Sequence, residues 1–336
     1  MGFRTIQLVA AAAALALAGH GAGAQQPVTI HIAWVVPVAN WASIIYQKKD
    51  LMTHYGKTYV VEPIRFQSTP QMVTALATGE LQIADLAYSS FAIAVENAGM
   101  SDLRVIGDEA QDGAHGHRSG PFVVLKDGPI KTIDDLKGKV LATVGIGAAL
   151  DIPVRALLRE HKLEDKRDYT MIEAAFPNMG AMLADKKIDF MPAVAPFSFD
   201  PKLMAIDRPL FTVADALGGP TEFIVWTARD SFISKHRAAM VDLLEDAVRV
   251  VRFLTDPANH DAAVQIAAKV SGAPPSRLGY IYTKNDNYRD PNMLPDLDSF
   301  QHAIDVQQKM GFLKHPIDVK KYADLSLVKE AAARIK

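Results

Sequence analysis

The chain has 336 residues, 49% of them hydrophobic and 22% charged, a globular composition long enough for two lobes. Lys and Arg number 36 against 38 acids, a formal charge of −2, so there is no basic excess for a phosphate backbone and nucleic acid is not an expected partner. The absence of cysteine excludes disulfides, a thiolate nucleophile, Cys-ligated zinc and iron–sulfur clusters.

The N-terminus reads as a secretory signal over residues 1–24. Arg4 supplies the positive region, Ile6 to Ala18 the apolar region, and Ala22-Gly23-Ala24 a small-residue cleavage site. As a helix that apolar stretch rises only about 20 Å, short of the roughly 30 Å hydrocarbon core. No cysteine follows the site to take a lipid. An exported, soluble, periplasmic protein starting at Gln25 is therefore expected.

Val28 to Trp34 alternates with period two, as a strand does. Trp41 to His54 has helical spacing, and Tyr59 to Phe66 is a second strand rich in β-branched and aromatic residues. Thr69 suits an N-cap with Pro70 at the first helical position, and Gly79 ends that helix. Ile83 to Ala87 is a third strand, and Tyr88-Ser89-Ser90 is a capping-type sequence before a helix over Phe91 to Ala98.

The same order recurs about 110 residues later: Lys139 to Val144, Pro153 to His161, Tyr169 to Glu173, Asn178 to Ala184 and Ile188 to Val194. Two α/β lobes of like construction follow, each with a parallel-rich sheet covered by helices. Pro121 to Leu125 and Glu222 to Thr227 read as two extended crossings, a two-segment hinge. Lobe 1 would then be residues 25–122 plus 228–336, and lobe 2 residues 123–227. From about Asp230 the chain is helical, with breaks at Pro257 and Gly311. Ligands of such sheets sit beyond the carboxyl ends of the strands, where helices begin.

Asp135-Leu136-Lys137-Gly138-Lys139-Val140, Gly145-x-Gly147, the paired Leu-Ala segments, Gly311-Phe312-Leu313, Asp318-Val319 and Tyr322-Ala323-Asp324 occur in this order. Their order and spacing resemble the nitrate/sulfonate/taurine-type solute-binding proteins of ABC importers over nearly the whole chain after the signal. The resemblance implies a type II periplasmic binding fold and delivery of a small solute to an inner-membrane permease by a monomer. Pyrimidine-precursor synthases of thiamine biosynthesis share that fold, but their cysteine-rich motif cannot exist here.

For the cleft, Ser68, Thr69, Tyr88, Ser89 and Ser90 offer hydroxyls and free N–H groups at helix starts, a setting for an anionic oxygen. Gly147 and Ala148, in Gly145-Ile146-Gly147-Ala148, let a ligand approach the backbone. Leu150 stands where a dinucleotide fingerprint needs glycine, so no cofactor is expected. Pro37, Trp41 and Phe197 are candidate walls for an organic solute, with Asn40 at its polar edge. Glu222, near the expected cleft floor, and Asp85 leave room for an amine or heterocycle, whereas the helix starts favour a sulfonate or carboxylate. His115 and His117 are two ligands only, too few for a metal site. Neither G-x-S-x-G nor H-E-x-x-H occurs, so catalysis has little support. A fold-related enzyme acting on a pyrimidine-type precursor and a sensory receptor for a membrane kinase are the alternative readings.

Overall fold

Strand β1 (Val28–Trp34) lies between β2 (Tyr59–Arg65) and β3 (Ile83–Ala87) and runs parallel to both. The sheet is extended by β10 (Thr221–Arg229), antiparallel to β3 and to the edge strand β4 (Leu103–Asp112), giving the order β2-β1-β3-β10-β4. The second sheet repeats the plan. There β6 (Val140–Thr143) runs parallel to β7 (Thr170–Glu173) and β8 (Phe190–Pro192), and β5 (Pro121–Leu125) is antiparallel to β8 and β9 (Asp207–Thr212). Its order is β7-β6-β8-β5-β9. The computed structural model describes residues 26–335; the export segment expected at residues 1–24 lies outside them.

Each sheet is parallel-rich but mixed, with four of its five strands running one way and one against them, and the connectivity explains why. β4 ends at the carboxyl end of its sheet, where the chain crosses to the other lobe. β5 therefore enters the second sheet at its carboxyl end and runs back against β6 to β8. β9 and β10 repeat the manoeuvre in the other direction. The stretches expected as crossings, Pro121 to Leu125 and Glu222 to Thr227, are thus strands of the second and first sheet. The crossings themselves fall at residues 113–120 and 213–220, so the sheets divide the chain differently from 25–122, 123–227 and 228–336. The crossings run side by side: a Cβ on Gly113 would touch Ala214, Ser119 and Pro220. Asp112 accepts hydrogen bonds from Ser119 Oγ and from the Gly120 N–H (2.7 Å), and Ser119 Oγ accepts the Ala214 N–H (2.9 Å).

The helices are α1 (Trp41–Ile44), α2 (Thr69–Thr78), α3 (Tyr88–Glu96), α4 (Asp151–Glu160), α5 (Phe176–Ala184), α6 (Pro201–Met204), α7 (Val213–Leu217), α8 (Asp230–Thr255), α9 (His260–Ser271), α10 (Leu297–Lys309) and α11 (Ser326–Arg334). α1 is one turn followed by 3₁₀ turns, not a helix to His54, and the stretch ends where buried Asp246 accepts the N–H groups of Thr53, His54 and Tyr55 at 2.8 to 3.1 Å. Ser68, not Thr69, occupies the N-cap position of α2, and Gly79 ends it at φ +81°. α3 starts at Tyr88, which puts Tyr88, Ser89 and Ser90 inside its first turn with Ala87 before them.

One face of the first sheet buries Ile30, Ile32 and Trp226 against Met240, Leu244 and Val248 of α8. The other buries Leu86 and Val225 with Phe91 and Phe300, a cluster that continues into the second sheet through Phe122, Phe190 and Phe211. Each such side chain contributes about 1.5–3 kcal/mol on burial.

Candidate functional site

The loops that leave β1, β2 and β3 face those that leave β6, β7 and β8, and between them lies a chamber of about 110 Å³. Val35, Val36, Ala39 and Ser68 form one wall; Val144, Ala148 and Phe176 form the opposite one. A mouth of about 260 Å³ continues it past Pro37, Phe66 and Phe197, and a recess of about 70 Å³ runs towards Arg118 and Asp112.

The chamber is held in shape by carboxylates behind its walls. Asn40 Oδ1 accepts the N–H groups of Val35 (3.0 Å) and Val36 (2.7 Å), and its Nδ2 donates to Glu109 Oε1. The other Glu109 oxygen accepts Trp226 Nε1–H at 2.6 Å. Burial pushes the Glu109 carboxyl up to about 7 although Asn40 and Trp226 favour its charged form, and buried Asp85, lying against it, is raised further by burial and by that neighbour. Neither Asp85 oxygen has a hydrogen-bond partner among the described residues, and burial with the Glu109 carboxyl beside it favours the protonated form. On the facing lobe Asp151 accepts the Gly147 N–H (2.9 Å) and Arg155 Nε–H (2.9 Å), while Glu173 accepts the Ile146 N–H (2.8 Å). The N–H groups of Ala149 and Leu150 meet no protein acceptor among the described residues. Ahead of α4 they are donors for an anionic or carbonyl oxygen.

Asn40, Ser68, Thr69 and Ala148 line the chamber, and Pro37 and Phe197 line its mouth, where Phe197 stacks on Phe176 at 6.4 Å. Asn40 is spent on the loop, however, and Thr69 Oγ1 is paired with Ser90 Oγ at 2.8 Å. Five expected cleft residues are fully buried elsewhere. The single turn of α1 rolls Trp41 inward onto Tyr282 (5.7 Å). Tyr88 Oη donates to Ala149 O (3.2 Å) and Ser89 Oγ to Gly147 O (2.9 Å), so these hydroxyls hold the facing lobe. Ser90 is turned to Thr69. Glu222 lies under α10 beside Asp108 and accepts the Asp296 N–H (2.7 Å), away from any cleft floor. Gly147, at φ +78°, brings its loop against Ile93.

Sequence reasoning missed Phe176, Phe223, Asn287 and Arg289. The last two belong to a long stretch without α-helix or strand between α9 and α10, and a loop of that length was itself a functional signal. His115 and His117 flank Tyr288 rather than each other's ligand position. His54, Asp242 and Glu245 do converge within 4.8 Å, yet Arg334 and Arg249 already neutralise those carboxylates, an ion-pair network rather than a cation cradle.

The profile of the NMT1-like family matches residues 23–268. The chain belongs to the NMT1-like family. This NMT1-like protein has the fold of type II periplasmic binding proteins. It is similar to the alkanesulfonate-binding protein SsuA from Xanthomonas axonopodis pv. citri bound to MOPS, with 17% identity, a TM-score of 0.68 and coverage of 89% of this chain and 99% of that one. The periplasmic nitrate-binding protein NrtA from Synechocystis PCC 6803 gives 13% identity and a TM-score of 0.70, over 92% of this chain and 89% of that one. The desulfurization enzyme DSZB also shares the fold, at 15% identity and a TM-score of 0.65, over 92% of this chain and 100% of that one. At these identities the likeness is one of fold, and the fold serves both binding and chemistry. No curated protein sequence matches the NMT1-like chain.

Proposed function

We propose that this protein is the exported, periplasmic solute receptor of an ABC importer. It works as a monomer, closes on one small organic solute about the paired crossings, and presents the closed form to an inner-membrane permease. The observation that carries this reading is the chamber, whose walls come from the carboxyl-end loops of both sheets. A solute touching both walls favours the shut state by its differential affinity, which is a population shift. The apolar walls suit a hydrocarbon or aromatic body, and the unpaired N–H groups of Ala149 and Leu150 with the Ser68 hydroxyl suit an oxyanion. A sulfonate or carboxylate is favoured over an amine, because Glu222 and Asp85 do not line the chamber.

DSZB keeps an enzymatic reading alive, but among the described residues no histidine, aspartate or glutamate lines the chamber to activate a nucleophile. A thermal-shift screen of sulfonates, carboxylates, pyrimidines and polyamines tests the proposal. A true solute at 100 times its Kd stabilises the fold by about 2.7 kcal/mol. Silence across the acids, or steady turnover of a bound acid by purified protein, overturns it.

A further inference from the structure

A larger cavity, of about 590 Å³, lies against the wall segment Tyr282–Arg289, and Asn287 and Arg289 line both it and the chamber. Its size falls within the roughly 300–1,000 Å³ of small-molecule sites. Leu254 at the end of α8, Pro257, Tyr282, Tyr288 and Pro291 give it an apolar surround. Its charged lining is mostly cationic, with Lys284 and Arg289, and the imidazoles of His117 and His260 stand beside them. The acid among the lining residues, Asp256, is engaged by the Ala258 N–H (2.9 Å).

Arg289 is the unusual member. It is 5% exposed, pairs with Asp286 (3.1 Å) and donates to Asn287 O (3.2 Å) and Ala39 O (3.0 Å), while its buried Nε–H has no acceptor among the described residues. A buried charged donor without a partner is costly to leave so, and an oxyanion would complete it. The surround is already ordered: Tyr288 packs on His115 (4.2 Å) and His117 (5.3 Å), and Lys284 Nζ donates to His115 O (2.6 Å).

We propose that this cavity is a second ligand site, for a small monocarboxylate bearing a ring, its carboxylate held by Arg289 and Lys284 and its ring against Tyr282, Tyr288 and Leu254. The site stands whether or not the chamber takes solute. Titration calorimetry of the full chain with benzoate and with its neutral isostere benzamide tests it. A benzoate site is present that persists in Phe176→Ala, and benzamide binds to it at least about tenfold more weakly. Arg289 is too deeply packed to serve as the first variant, so the double variant Lys284→Ala/His260→Ala, at exposed and half-buried positions, is used. It weakens benzoate about fivefold, whereas Phe176→Ala, which alters the chamber alone, leaves it unchanged. No benzoate binding, equal affinity for benzamide, indifference to the double variant, or loss in Phe176→Ala each overturns the site.

Discussion

At the residue scale, Asn40 ties the chamber wall together. Its amide is turned to the backbone of Val35 and Val36 and to Glu109, and so links that wall to a buried acid pair. A carboxyl whose folded pKa is raised binds more protons folded than unfolded, so its contribution is fully present below the unfolded value near 4 and is lost as pH rises through the folded one. Glu109 and Asp108 sit at about 7, and Asp85 and Glu222 are raised as well, all chiefly by burial. Stability should therefore fall from about pH 4 to 7 on account of Glu109 and Asp108, and go on falling above 7 on account of Asp85 and Glu222, which are raised further. Ion-paired surface acids push the other way in acid, so the difference between variants is the clean readout. Asp85→Asn stays neutral throughout, and its melting temperature should exceed that of the parent increasingly as pH rises from 5 to 8; parallel curves would dissociate Asp85 from the titration. Of this network the sequence displayed Asn40 and Asp85 but not their partner, because Glu109 lies on a strand that no alternation betrays: β4 is buried over nearly its whole length.

At the element scale, the three helix starts after β2, β3 and β6 were legible from proline, glycine and hydroxyl residues, yet the jobs of the hydroxyls were not. Capping chemistry is local and can be read from neighbours, whereas Ser89 and Tyr88 reach a loop 58 and 61 residues away. Register also mattered. With α3 starting at Tyr88 rather than after Ser90, the hydroxyls turn sideways to the facing lobe. That lobe presents Gly145 and Gly147, and a Cβ on either would stand 3.0 Å from Ser68 Oγ or 3.2 Å from Ile93 Cδ1. Gly147→Val combines that crowding with a positive φ that a β-branched residue resists. It should hold the lobes apart, and small-angle scattering should report a larger radius of gyration than the parent. An unchanged radius would mean that the loop yields without separating the lobes.

At the scale of the whole molecule, the repeat of strand, helix, strand, helix, strand revealed two like halves, while the antiparallel strands and the true crossings stayed hidden. β5 and the middle of β10 are apolar runs that each follow a glycine–proline turn signal, and such a boundary marks a strand and an extended link alike, so nothing local distinguishes the two. The crossings are tied by Asp112, and the lobes are further joined where Arg159 of α4 donates to Met310 O at the end of α10 and lies over Phe312 (4.4 Å). Asp112→Ala leaves Ser119 Oγ, the Gly120 N–H and Asn287 Nδ2 without their shared acceptor. A loss of about 1–3 kcal/mol in urea unfolding is expected, together with faster amide exchange at residues 113–120 and 213–220. Exchange confined to other segments would remove Asp112 from the hinge.

The strand orders carry a consequence for biogenesis. Every strand of the second sheet comes from one continuous stretch, Pro121 to Thr212, so its pairings are complete once that stretch has emerged. The first sheet cannot be finished in the order it is made: its edge strand β4 joins the sheet through β10, and its outer side is bonded by Tyr288, Met293 and Asp324, all synthesised after the entire other lobe. A nascent chain halted before Thr221 would thus carry one finished half and one whose strands have unpaired edges, open to chaperones that hold unfinished sheets.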